Sequence, residues 1–206
     1  MNTVRICGYL VVRLPHLSMD PAGRGAFTPT APQLSGVFYG GIDRMQWFDV
    51  DEDFYSRTLP EELVRLRERI RGENMDASGI YLCRDLTTTK IMLEYSNRAG
   101  TANEIIALRS PKLAKIKGEI EAANIDWRGF DIATIGEASL LLEGIFSNPE
   151  RFARFRSELN GHGLFRLEDH VPEYIQPYMT AVNEGAAELV WSDPALIDTI
   201  AIGAAN

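Results

Sequence analysis

The chain has 206 residues, 45% of them hydrophobic and 24% charged, and a formal net charge of −8 from 21 basic and 29 acidic side chains. Those proportions exclude a disordered chain, and the length suffices for one sizeable apolar core without disulfide or metal support. The acidic balance argues against a nucleic-acid partner, whose phosphates demand a surplus of Lys and Arg, and no apolar run approaches the length of a membrane span.

In chain order, VRICGYLVVR at 4–13 is rich in β-branched and aromatic residues and predicts a first strand, with Gly8 as a bulge. Arg13 interrupts its apolar run, so it reads as a strand and not as a signal peptide. From 15 to 35, Pro15, Pro21, Pro29 and Pro32 with Gly23 and Gly25 predict a long irregular loop. GVFYGGI at 36–42 reads as a short strand. Thr58 and Glu61 form a capping-box pair around Pro60, and Leu59, Leu63, Leu66 and Ile70 follow at helical spacing, so a helix is expected from about 60 to 72.

The period then changes to two. GIYLCRD and KIMLEYS, separated by threonines, predict a β-hairpin, and NEIIALR at 103–109 reads as a further strand or, alternatively, a short helix. Ser110 and Pro111 are an N-cap and first-turn pair, with Leu113, Ile116 and Ile120 as the stripe of a helix reaching Asn124. The densest helix punctuation lies in 129–165, where Leu141, Leu142 and Ile145 mark one helix from about 137, and Ser147 to Glu150 restart another that carries Phe152, Phe155 and Leu159 to Asn160 and Gly161. VPEYIQPYMTAVNEG predicts a helix near 172, bent at Pro177; ELVW and LIDTIAIG predict two closing strands. The expectation is a single α+β domain over 1–206, an antiparallel sheet packed against several helices.

Cys7 and Cys83 belong to no CxxC or Cys/His set and read as reduced core thiols, which suits a cytoplasmic protein. Asp49, Asp51 and Asp53 alternate as at the start of an EF-hand loop, but the position that needs Gly is Phe54 and the one that needs a bidentate Glu is Pro60, which leaves a two-carboxylate magnesium site of the DxD kind as the alternative to a solvated acidic run. His162 and His170, with Glu168, Asp169 and Glu173, match no ligand spacing; the flanking Gly161 and Gly163 make His162 a helix-end residue. Nucleophile elbows, HExxH and phosphate-binding loops are missing, so the sequence carries no signature of an enzyme, a cofactor or a metal. An enzyme reading would use Asp49, Asp51 and His170 for metal-assisted hydrolysis or group transfer.

Two zones mix carboxylates with aromatic side chains: Trp47, Asp49, Asp51, Glu52, Asp53 and Tyr55 in the first, and Glu168, Asp169, Glu173 and Tyr174 in the second. Aromatic residues anchor interfaces and carboxylates steer basic partners, so these are the candidate partner-binding residues. Buried aromatics beside solvated acids would give the same composition. The segment 168–206 contains no Lys or Arg at all.

DWRGFDIATIGEASLLLEGIFSNPERFARFRSELNGHGLF, residues 126–165, resembles segments of immunity proteins from bacterial polymorphic toxin and contact-dependent competition systems. The likeness covers about a fifth of the chain and includes no diagnostic functional residue. It implies an acidic cytoplasmic protein that binds a cognate toxin and blocks its active site; a phage or host regulatory binding subunit follows the same binding logic.

Overall fold

The computed structural model describes residues 3–13, 34, 61–74, 80, 82–98, 103–135, 139–146, 148–186, 189 and 193–206. The expected loop at 15–35 (apart from Leu34), the strand at 36–42, the zone at 47–55 and most of ELVW lie outside them. The rest form an α+β domain with two antiparallel sheets.

The first apolar run makes two strands, β1 (Thr3–Ile6) and β2 (Gly8–Arg13), with Cys7 at a corner between them. Gly8 has φ +156°, and a Cβ there would stand 2.8 Å from Leu82 Cβ and 2.9 Å from the Cys83 carbonyl, so only glycine lets the corner pack this closely. β1 pairs with β4 (Ile120–Ala123), while β2 pairs with β3 (Asn103–Arg109). The larger sheet has the order β2-β3-β6-β5, with β5 at Ile125–Thr134 and β6 at Ile197–Ala205. A second corner at Asn124, φ +59°, joins β4 to β5. Both outer strands of the larger sheet therefore turn through one residue and continue into the β1–β4 pair, so the pairings close on themselves.

Closure sorts the apolar residues. Tyr9, Val11, Ile105, Ala107 and Ala205 share one sheet face with Ile6 and Ala122 of the small sheet; α1 (Glu61–Glu73) and α2 (Leu86–Arg98) cover it with Ile70 and Met92. Leu10, Val12, Ile106, Leu108, Ile200 and Ile202 point the other way onto Leu34, Ile80, Leu82, Leu113 and Leu164. A third cluster joins Ile132, Phe165 and Ile197 to a π-turn (Leu142–Phe146), the short α4 (Ala153–Arg156) and α5 (His170–Asn183) through Ile145, Phe155, Tyr174 and Tyr178.

The expected hairpin is replaced by a helix. KIMLEYS lies in α2, and among the described residues of GIYLCRD the strand pairing is an isolated bridge from Cys83 to Tyr9. Asp85 decides this: its carboxylate accepts from the Thr88 N–H at 2.7 Å and the Thr87 N–H at 3.4 Å, while Thr89 Oγ1 donates to the Asp85 carbonyl at 2.8 Å. The threonines are a capped first turn, and burial then follows Thr88, Thr89 and Met92, leaving Ile91 39% exposed. The next helix, α3 (Pro111–Lys117), begins where Ser110 and Pro111 predict, with Ser110 Oγ accepting from the Leu113 N–H at 3.1 Å. It stops seven residues short of Asn124 because Gly118, φ +71°, closes it on the Ala114 carbonyl, and Ile120 and Ala122 belong to β4. Ile116 is consequently exposed. The expected helix from 137 is represented by Leu140, Leu141 and the π-turn, the helix from 149 by α4 alone, and LIDTIAIG by β6.

Hydrogen bonds from Thr88, first from its side chain and then from its backbone, hold the Asp85 carboxyl below its ordinary value. Asp85→Ala is expected to lower stability by about 1 kcal/mol at pH 7, read as a fall in the urea midpoint. A depressed folded-state pKa adds stability that is present in full above the unfolded value near ~3.9 and is lost as pH falls through the folded one. The difference between the two proteins should therefore shrink in acid; a constant difference down to the lowest folded pH would exclude the carboxylate cap.

Candidate functional site

The end of β3, the start of α3 and the facing strands β5 and β6 frame an open cleft of about 420 Å³. Cross-strand register sets its floor: Arg109 lies opposite Ala201, and Ala201 opposite Phe130, so the three side chains stand in one row on one face. Thr199 extends the floor, Pro111 and Ala114 form one wall, and Glu119 and Glu168 stand at the rim. In the adjoining row Gly203 faces Trp127, and a Cβ on Gly203 would come within 3.0 Å of the indole, so the missing side chain is what seats the ring on β6. Arg109 uses that seat: its Cζ is 5.2 Å from the Trp127 ring centroid, a cation–π contact, and its Nη2 is 3.8 Å from Glu168 Oε2.

Beneath the wall, α3 is bolted to the sheet by Asp198 of β6. This carboxylate is 9% exposed; it accepts from the Lys112 N–H at 2.6 Å and from the Ser110 hydroxyl, while Lys112 Nζ donates to the Ala195 carbonyl. A carboxylate among the free N–H groups of a helix start satisfies donors that would otherwise be buried unpaired. Ser110 also accepts a 3.5 Å contact from Cys7 Sγ at its carbonyl. Burial pushes the Cys7 thiol up, and pushes that of Cys83 up to about 11, which suits two inert core thiols.

Of the residues singled out from sequence, Trp47, Asp49, Asp51, Glu52, Asp53 and Tyr55 lie outside the described residues. Glu168 is at the cleft rim, exposed; Asp169 and Glu173, both exposed, follow in the turn and on the first turn of α5. Tyr174 is not part of that surface. It is fully buried, donates to the Leu140 carbonyl at 2.8 Å, and packs against Phe155 at 5.1 Å and Phe152 at 5.3 Å. Helical geometry separates it from its neighbour Glu173 by about 100° of rotation, and it takes the buried face with Val171, Tyr178 and Ala181. Burial raises its phenol pKa, so it remains neutral.

His170 opens α5 with Nδ1 3.5 Å from Glu158 Oε2 and its ring against Phe165 at 6.0 Å. His162 sits in a turn organised by Asn160, whose Oδ1 accepts from the His162 and Leu164 N–H groups at 2.8 and 3.3 Å; Gly163 there has φ +71°. The two histidines are thus in separate settings. Among the described residues no group of three or more His, Cys, Asp or Glu is placed to hold a metal ion, and no helix is long and apolar enough to cross a membrane. Of the cleft, sequence reasoning found Glu168 as a contact residue and Ser110 and Pro111 as a cap; Arg109, Glu119, Phe130 and Thr199 come from four separate stretches and share no local pattern. No protein-family model, curated protein or solved structure matches the chain.

Asp198→Ala strips the Ser110 hydroxyl and the Lys112 N–H of their acceptor together. The expected loss is about 2–3 kcal/mol of unfolding free energy, larger than for an exposed ion pair. Chemical denaturation of the variant checks this, and a loss below about 0.5 kcal/mol would show that α3 does not depend on the carboxylate.

Proposed function

We propose that the chain is a protein-binding inhibitor, an immunity protein that neutralises a cognate toxin in the cytoplasm by covering its active site. The observation that carries this reading is the surface from Leu167 to Glu173. Leu167 is 56% exposed, the highest value among the large exposed hydrophobic residues described, and Glu168, Asp169 and Glu173, which follow it within six positions, are exposed carboxylates. An apolar knob with acidic neighbours has the form of an interface anchor with electrostatic steering. The chain from Leu167 onward contains no Lys or Arg; Glu168 is paired with Arg109, but among the described residues neither Asp169 nor Glu173 makes an ion pair. The resemblance of 126–165 to immunity-protein segments supports the same reading, and the zone from Trp47 to Tyr55 is a second contact candidate.

Affinity purification from the native host should recover a basic protein whose expression alone is toxic and whose toxicity is relieved by this chain. Asp169→Asn with Glu173→Gln should slow association about two- to tenfold at low salt and change dissociation little, with the difference fading as salt rises. Rates measured by surface plasmon resonance decide it. Recovery of no basic partner, or association indifferent to both salt and these substitutions, would remove the basis for occlusion by an acidic surface.

A further inference from the structure

The cleft beside α3 is lined by two exposed carboxylates, Glu119 and Glu168, each in an exposed ion pair with one arginine among the described residues. Arg109 Nη2 stands 3.8 Å from Glu168 Oε2, and Arg5 Nη1 3.7 Å from Glu119 Oε2. Both distances are those of exposed ion pairs rather than of charge-assisted hydrogen bonds at ~2.7–2.9 Å, so an incoming cation competes with weakly held arginines. Arg109 has a second hold, the Trp127 ring, and can leave Glu168 without becoming stranded. Phe130 lines the same cleft with a half-buried ring, an attractive surface for a cation. A carboxylate ligand on Arg109 would instead place a third negative group beside Glu119 and Glu168, in a chain of net charge −8.

We propose that this cleft receives a cationic side chain, an arginine or lysine of a basic protein partner. Its charged head meets Glu168 and Glu119 at the rim and its stem lies on Phe130, while Arg109 keeps its place on Trp127 and releases Glu168, and the exposed Arg5 releases Glu119 to solvent. The identity of the donor as a protein rests on the function proposed above; the chemistry of the cleft can be tested without that partner.

The test is an NMR titration of the full chain at low salt with N-acetyl-argininamide and, separately, with N-acetylglycinate as the anionic counterpart, read at the Trp127 indole and Arg109 side-chain signals. The cation should bind saturably and better than the anion. Glu168→Gln should weaken it about threefold, and Arg109→Gln should strengthen it about threefold by removing the internal competitor. Phe130→Leu, which keeps an apolar floor but removes the ring, should weaken it about threefold and supplies a second test if Arg109→Gln does not fold. Tighter binding of N-acetylglycinate, or loss of cation binding in Arg109→Gln, would assign the cleft to anions and overturn the proposal. So would the lack of saturable cation binding in both the wild type and Arg109→Gln. In that case a partner still slowed by Asp169→Asn with Glu173→Gln keeps the inhibitor reading standing, whereas cation binding without any basic partner would leave the cleft assignment and sink the inhibitor.

Discussion

The guanidinium of Arg84 ties together parts of the chain on which the rest of the fold depends. Its Nη1 donates to the carbonyl oxygens of Cys7, Lys117 and Gly118 at 2.7, 3.0 and 3.2 Å. Cys7 is the corner between β1 and β2; Lys117 and Gly118 are the end of α3 just before β4. A single cation thus fastens the two approaches to the β1–β4 pair that closes the strand pairings. Carbonyls at a helix end and at a strand corner have no ladder partner of their own, and a charged donor satisfies them more strongly than a neutral one. Arginine suits this because its charge is permanent and one terminal nitrogen can share its two hydrogens among closely set carbonyl oxygens.

From that fastening the cleft follows. With α3 held at its end by Arg84 and at its start by Asp198, the helix has no freedom to fold down over β5 and β6, and the row Arg109, Ala201 and Phe130 is left open beneath its edge. Small residues on β6 reinforce the opening. Ala201 and Gly203 occupy positions where larger side chains would fill the floor or lift Trp127 from its seat, and Trp127 in turn holds Arg109 at the mouth.

How much of this was legible in the sequence depended on how local the cause was. Ser110 with Pro111 announced α3, NEIIALR announced β3 by its branched apolar content, and LIDTIAIG announced β6, each because the signal and the structure occupy the same few residues. KIMLEYS alternates well enough for a strand, yet the deciding residue was Asp85, whose cap turns the threonines into a helix start. The end of α3 was hidden because Ile116 and Ile120 continue a helical stripe in sequence, while Gly118 and a carbonyl clamp reaching over from Arg84 stop it in space. Tyr174 sits beside Glu173, so composition grouped them; helix rotation parted them. The cleft could not be read at all, since cross-strand register brings its floor together from residues about twenty to ninety positions apart in β3, β5 and β6.

The position of the acidic surface relative to this scaffold bears on how it would bind. Just upstream of the turn that carries Leu167, Glu168 and Asp169, Phe165 and Phe130 exchange two backbone hydrogen bonds of 2.9 Å; just downstream, Val171 and Tyr174 are buried on α5. Phe165 itself is buried against Phe155 and Tyr174. A turn pinned so closely at both ends would lose little conformational entropy on docking the partner proposed above, so the free energy of burying Leu167 and pairing the neighbouring carboxylates would not be consumed in ordering the chain. The same pinning makes Glu168 answer to two surfaces at once, the cleft through Arg109 and the outer turn through Asp169. A basic partner that draws Glu168 away from Arg109 would change both together, with the released guanidinium keeping its place on Trp127.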